Sequence, residues 1–266
     1  MDETRILRIT RNENGNITEL TDTLVSETHL KIFLNGRFVS LNVCTPGFES
    51  ELAVGYLYSG GFLDGREEIE SIRHDPEKDS VHVHTFAGRV PSADPAGSEK
   101  IIPGSSPAAF VRSASCEGKN STASRLIVGH EEILRITARA DAAANLFHRT
   151  GSTHSAAVSD GGRLLLLFED LGRHNAIDKA IGKCIIGGIA RSDKILFTSG
   201  RVSTVVTGKA VRASFPMLVS KSAVTAESVD LARDHGLTLI GFARQNQFNV
   251  YCHGWRVQRS DGASQR

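Results

Sequence analysis

The strongest constraint on how this chain folds lies in its second half, where short apolar runs alternate with longer amphipathic segments. SAAV and LLLLF flank a turn at Asp160-Gly161-Gly162, and KILFT, MLVS, LTLIGF and FNVYCH follow. Between them lie GRHNAIDKAIGKCII, TVVTGKAVRAS and AESVDLARDH. Runs this short and this rich in Leu, Ile, Val and Phe read as buried strands, while the intervening segments repeat apolar residues at helical spacing. The helix expected over residues 175–186 puts Ile177, Ile181, Cys184 and Ile185 on one face, and Gly236 stops the helix over AESVDLARDH. Strands separated by helices of this length predict an α/β sheet, largely parallel over this stretch and covered by helices.

The first part of the chain reads differently. HLKIFLNGRFVSLNV has the form of a hairpin turned at Asn35-Gly36, and SVHVHTF alternates like a half-buried strand. ESELAVGYLYSGGFL reads as a helix, with Ser50 placed to cap its start and Gly60-Gly61 to end it. Four of the seven prolines then fall between residues 91 and 124, among Ser, Ala and Gly, a composition that reads as a linker or mobile loop. A further helix is expected over residues 131–148. The expected organisation is therefore a strand-rich part with one helix (residues 1–105), a mobile loop carrying Cys116 (106–125) and a larger α/β part (126–266).

Composition narrows the function classes. Charged residues at 23%, apolar residues at 40% and a net charge of +1 argue against disorder and against a basic surface for nucleic acid. Any anion site is thus expected to be local. The start of the chain, MDETRILRIT, lacks the apolar core of a signal peptide, and no run is long enough for a membrane span, so the expected location is the cytoplasm without membrane insertion. The four cysteines are far apart and form no CxxC pair, which points to neither a disulfide framework nor a zinc site.

In an open α/β sheet, ligands bind beyond the carboxyl ends of the strands, where loops and helix N-termini meet. The loops concerned are EDLGRHN, TSGRVS, SKSAVT and ARQNQF. Each brings a cation (Arg173, Arg201, Lys221, Arg244), and the middle two add Ser199, Ser203, Ser220, Ser222 and Thr225. Guanidinium forks, hydroxyls and free backbone amides together suit an anion. Glu169 and Asp170 are open to three uses: orienting the cations, accepting N–H donors of a heterocycle, or moving a proton. His174 and, more so, His154 read as structural hydrogen-bonding residues. Cys44, Cys184 and Cys252 sit in apolar contexts, whereas Cys116 lies in RSASCEGKNSTAS with Arg112 and Lys119 near enough to favour the thiolate.

GRHNAIDKAIG, FTSGR, SKSAVT and GFARQNQFNVY, with ELAVGYLYSGGFL upstream, resemble the FdhD family of formate dehydrogenase accessory sulfurtransferases. The resemblance runs from about His29 to Tyr251. It implies a sulfur carrier whose C-terminal part is a cytidine-deaminase-like mixed sheet covered by helices. It further implies a homodimer that takes persulfide sulfur from a cysteine desulfurase. The sulfur is passed to the molybdenum bis(molybdopterin guanine dinucleotide) cofactor destined for formate dehydrogenase. On this resemblance Cys116 is the persulfide carrier. Phe242, Ala243, Arg244, Gln245, Asn246 and Gln247 occupy the cofactor-binding stretch, and Arg173, His174, Asn175, Ser199, Gly200, Arg201 and Lys221 help line a guanine nucleotide site.

The pattern departs from the family's at several points: a single cysteine stands where a CxxC pair is usual, and Val205, Val224 and Gly60 replace a glutamate, a proline and a glutamate. The missing thiol gives weight to an alternative, a non-catalytic chaperone that holds the dinucleotide cofactor. A zinc deaminase would need PCxxC together with HxE, and a dinucleotide-dependent oxidoreductase GxGxxG after a first strand; neither PCxxC nor GxGxxG occurs.

Overall fold

A computed structural model describes residues 2–88 and 124–258 of the chain. Cys116 and residues 106–123 of the expected loop lie outside the described residues.

The N-terminal part begins with a two-stranded arm, β1 (Thr4–Glu13) and β2 (Asn16–Val25). A four-stranded sheet follows, in the order β4-β3-β6-β5, from β3 (Thr28–Leu34), β4 (Arg37–Cys44), β5 (Ile69–Asp75) and β6 (Ser80–Thr85). The β3–β4 hairpin turns at Asn35-Gly36 as expected, because both residues take the positive φ (50° and 80°) that matches strand twist. Between β4 and β5 runs α1 (Glu49–Ser59). Its N-cap is Phe48 in the left-handed region, with no side-chain cap, so Ser50 does not play the role expected of it. Instead the Glu49 carboxylate accepts the Gly47 amide at 2.7 Å, and acidic residues fill the first turn. Leu52, Ala53, Val54, Leu57 and Tyr58 are all buried, the signature of a helix covered on every side.

The C-terminal part opens with β7 (Val128–Gly129), α2 (His130–Ala143) and α3 (Asn145–Thr150). The single helix expected over 131–148 is thus broken at Ala144. Glu169 accounts for the break: its carboxylate accepts the amides of Leu146 and Phe147 at 2.8 and 2.7 Å and starts a new helix there. Then come β8 (His154–Ser159), β9 (Leu164–Asp170), α4 (Arg173–Ile186), β10 (Ile195–Thr198), α5 (Thr204–Arg212), β11 (Met217–Ser220), α6 (Ala226–Asp234), β12 (Thr238–Arg244), β13 (Gln247–Cys252) and β14 (Val257–Gln258). Six of these strands form a sheet in the order β13-β12-β11-β10-β8-β9.

That sheet is mixed. Only β10, β11 and β12 pair in parallel; β8, β9 and β13 enter antiparallel. Short turns at residues 160–163 and 245–246 join β8 to β9 and β12 to β13, and connections this short can only link antiparallel strands. The expectation of a largely parallel sheet holds for the central three strands alone.

Alternate residues of each strand feed two cores. Ala156, Val158, Leu196, Leu218 and Leu239 face α4 and α5, while Ala157, Ile195, Phe197, Met217, Val219 and Ile240 face Ile133, Ile136 and Ala140 of α2. The first core continues without a break through α4 and α1 into Leu30, Ile32, Leu34, Val81 and Val83 of the four-stranded sheet. The two parts anticipated as separate regions therefore share one core.

Their junction is the crossing of α1 and α4. A Cβ added to Gly55 would collide with the Asp178 carbonyl, and one added to Gly182 with the Glu51 carbonyl, so backbone lies on backbone at both positions. We predict that Gly182→Ala lowers stability in urea by about 3 kcal/mol or more, since overpacking a closed interior forces helices apart. Gly208→Ala on α5, where a Cβ meets open space, is expected to gain about 0.5–1 kcal/mol.

Candidate functional site

The strands β9, β10, β11 and β12 all point the same way, because β8 is antiparallel to both of its neighbours and the other pairings are parallel. Their carboxyl ends, with the start of β8, make one edge. The loops EDLGRHN, TSGRVS and SKSAVT therefore lie side by side, as the strand-end argument required. The last two are stitched together: Ser222 Oγ donates to the Ser199 carbonyl and Ser220 Oγ to the Gly200 carbonyl, both at 2.8 Å. The Val202 amide donates to Ala223 at 2.9 Å, and Phe242 N to the Ser222 carbonyl at 3.0 Å.

Arg173 is the first residue of α4, and Gly200 lies against it; a Cβ at Gly200 would sit 2.8 Å from the Arg173 Cβ. Arg173 is half-buried, its Nε has no hydrogen-bond partner, and burial followed by the nearby Arg201 guanidinium pulls its pKa down. Arg201 itself is exposed. His174 is 8% exposed and its Nδ1 is without a partner. Burial first, then Lys209, Arg173 and His154, push its pKa down to about 3. His154 is lowered in the same sense, by burial and then by Arg173 and Arg201. Two guanidinium groups and two neutral imidazoles thus share an edge with the N-terminus of a long helix, an arrangement that receives negative charge.

The carboxylates of the first loop serve the frame. Asp170 is fully buried, its Oδ2 2.8 Å from Lys179 Nζ and 3.1 Å from the Thr45 amide, its Oδ1 2.9 Å from both the Gly172 amide and Asn175 Nδ2. Glu169, besides capping α3, accepts from Thr153 Oγ1 at 3.0 Å. Neither is turned toward a ligand. Asn175 likewise gives its amide to Asp170 and, at 2.8 Å, to the Val43 carbonyl, so its side chain holds β4 to α4. Lys221 is drawn sideways into an ion pair with Asp141 at 2.7 Å.

Of the stretch 242–247, Ala243 is buried in the core under α2 and Phe242 anchors the hairpin to the SKS loop. Arg244, Gln245, Asn246 and Gln247 form the exposed tip, with the Arg244 guanidinium 5.9 Å from the Phe242 ring centroid. Arg173, His174, Ser199, Gly200 and Arg201 come together, then, while Asn175 and Lys221 have structural partners. His154, set aside in the sequence as structural, stands among the cations. A lone histidine before SAAV gives no local sign of this.

The described cysteines are poor nucleophiles. Burial, then Asp170, raises Cys44 to about 12; burial raises Cys184 to about 11 and Cys252 in the same direction. Among the described residues no group of His, Cys, Asp and Glu is arranged to hold a metal ion, and no helix is long and apolar enough to cross a membrane.

Residues 25–258 match the FdhD/NarQ family. The chain belongs to that family. Similar FdhD/NarQ proteins include the sulfur carrier protein FdhD of Staphylococcus haemolyticus and that of Staphylococcus aureus. Each is 33% identical over 255 residues, covering 95% of this chain and 96% of the relative. The crystal structure of a candidate formate dehydrogenase accessory protein from Desulfotalea psychrophila superposes with a TM-score of 0.81 at 22% identity, over 97% of this chain and 100% of that one. The mixed sheet and helical cover are therefore shared with a solved structure.

Two outcomes follow for this FdhD/NarQ chain. Asp170→Ala strands Lys179 as a buried, unpaired charge and is expected to cost about 3–5 kcal/mol in urea unfolding. His174 is neutral when folded but protonates near pH 6.5 when unfolded, so the unfolded state binds more protons between there and about 3. Stability is expected to fall as pH drops below 6.5, and His174→Asn to flatten that fall in thermal unfolding followed against pH.

Proposed function

We propose that this chain is a sulfur carrier for formate dehydrogenase. It accepts persulfide sulfur on Cys116 from a cysteine desulfurase and delivers it to the molybdenum bis(molybdopterin guanine dinucleotide) cargo destined for that enzyme. The observation that carries the reading is the cationic edge, where Arg173 and His174 keep buried nitrogens without partners beside an exposed Arg201. Phosphates of a guanine dinucleotide are the natural complement of such a site. The names of the staphylococcal relatives support the carrier role, and the name of the Desulfotalea protein agrees with the client. With Cys44, Cys184 and Cys252 held as thiols, the sulfur chemistry falls to Cys116. The reading places the protein in the cytoplasm as a homodimer.

In the transfer, the Cys116 thiolate attacks the outer sulfur of the desulfurase persulfide. The S–S bond of the donor breaks, the desulfurase departs as its thiolate, and the sulfur remains on Cys116 in a new S–S bond. One cysteine suffices for this step. The lack of a second cysteine beside Cys116 favours one other reading, a chaperone that holds the dinucleotide without moving sulfur.

Incubation with an active cysteine desulfurase and cysteine, followed by intact-mass and peptide mapping, separates the two. The carrier reading expects an added sulfur on Cys116 that is lost in Cys116→Ala; no adduct leaves the chaperone. In both readings Arg201→Gln is expected to weaken binding of GDP by about tenfold or more, as charge-assisted contacts to phosphate contribute roughly 1.5–3 kcal/mol.

A further inference from the structure

His154 begins β8, half-buried, between the two arginine-bearing loops. Asp170 is its register partner across β9, but that carboxylate is taken up by Lys179, Thr45, Gly172 and Asn175, and neighbouring Glu169 caps α3. The charged and titratable groups that bear on His154 are otherwise Arg173 and His174 of α4 and Arg201 of the SGR loop, with Lys209 of α5 acting beyond them on His174. His154 Nδ1 also makes a long contact, 3.4 Å, with Ser199 Oγ. That oxygen already accepts the Ser155 amide at 2.9 Å. In the Nε2–H tautomer of the neutral imidazole, the hydroxyl proton of Ser199 is the hydrogen available to the Nδ1 lone pair.

We infer that His154 is a ligand-binding residue that takes up a proton as an anion seats between Arg173 and Arg201, and that the same proton turns the Ser199 hydroxyl toward the ligand. The empty edge is cationic, and burial together with the two guanidinium groups keeps the imidazole neutral near pH 7. An anion cancels that field and makes the imidazolium favourable. The protonated Nδ1 then donates to Ser199 Oγ, which accepts from both Ser155 and His154 and has its own hydrogen free to donate outward. His174, deeper and closer to Lys209, stays neutral throughout. The inference rests on the reading of this edge as an anion site and adds a proton whose uptake is linked to occupancy. Pyrophosphate diesters keep a fixed charge near neutrality and bring no proton of their own, so the protein draws one from solvent and binding strengthens with acidity.

The test is calorimetric titration of the full chain with diguanosine pyrophosphate, a probe whose diester phosphates do not titrate near neutrality, in buffers of different ionisation enthalpy. Between about pH 8 and about pH 6, binding is expected to tighten by up to about tenfold per pH unit, with net uptake approaching one proton per ligand. His154→Gln is expected to abolish both the uptake and the pH dependence. Ser199→Ala is expected to keep the uptake and to bind more weakly at the acid end. The ring-proton resonances of His154 in the unaltered chain, with and without ligand, read the same proton without relying on a variant. Binding without proton uptake, or uptake undiminished in His154→Gln, overturns the inference and leaves the anion site standing. No binding at any pH, or Arg201→Gln binding like the unaltered chain, overturns both.

Discussion

Two charges side by side on α4, Asp178 and Lys179, hold this molecule in register. Lys179 reaches Asp170 at 2.8 Å and the Thr45 carbonyl at 2.9 Å, tying the helix to β9 and to the corner between β4 and α1. Asp178 meets Lys209 of α5 at 2.6 Å and Ser59 of α1 at 2.9 Å. All four ionised side chains are at most 1% exposed. Such pairs add little stability over an apolar replacement, since desolvation offsets most of the attraction. Their effect is to exclude alternatives: a sliding or turning of α4 would leave buried charge unpaired, while Gly55 and Gly182 let α1 approach closely enough for Ser59 to reach Asp178.

The same network shapes the candidate site by what it removes. Asp170 and Asn175 belong to the loop that leads into α4, yet their polar atoms are committed to Thr45, Lys179, Gly172 and Val43. Glu169 is committed to α3, and Asp141 draws Lys221 away. The acids that would have neutralised the edge are engaged elsewhere. Arg173 and Arg201 remain, repelling one another beside two neutral histidines, with nitrogens of Arg173 and His174 left without partners. Attraction for an anion here follows from the structural use of the carboxylates as much as from the presence of the arginines.

Sequence reasoning succeeded where the signal is local. Asn35-Gly36 declares its hairpin because the turn demands positive φ at both residues. The strands and helices after residue 150 follow their apolar periods, and the gathering of Arg173, Ser199, Gly200 and Arg201 follows from the rule that strand ends collect ligands. It failed where a distant partner decides. Nothing in HEEILRITARADAAANLFHR marks the break at Ala144, because the group that makes it, Glu169, arrives from another strand. Glu169 and Asp170 looked available for chemistry for the same reason: their partners are far away in the chain.

The sequence by itself determined the α/β class, the elements of the C-terminal part, the four loops that could meet a ligand, and family membership through GRHNAIDKAIG and its companions. Periodicity and turn chemistry act between near neighbours, so they can be read along the chain. Only the tertiary structure decided that the sheet is mixed, that α1 and α4 fuse two regions into one core, that Asn175 and Lys221 serve the frame, and that His154 stands among cations. Each of those outcomes depends on which charge finds which partner across the fold, and that pairing is set by three-dimensional proximity, which no local pattern encodes.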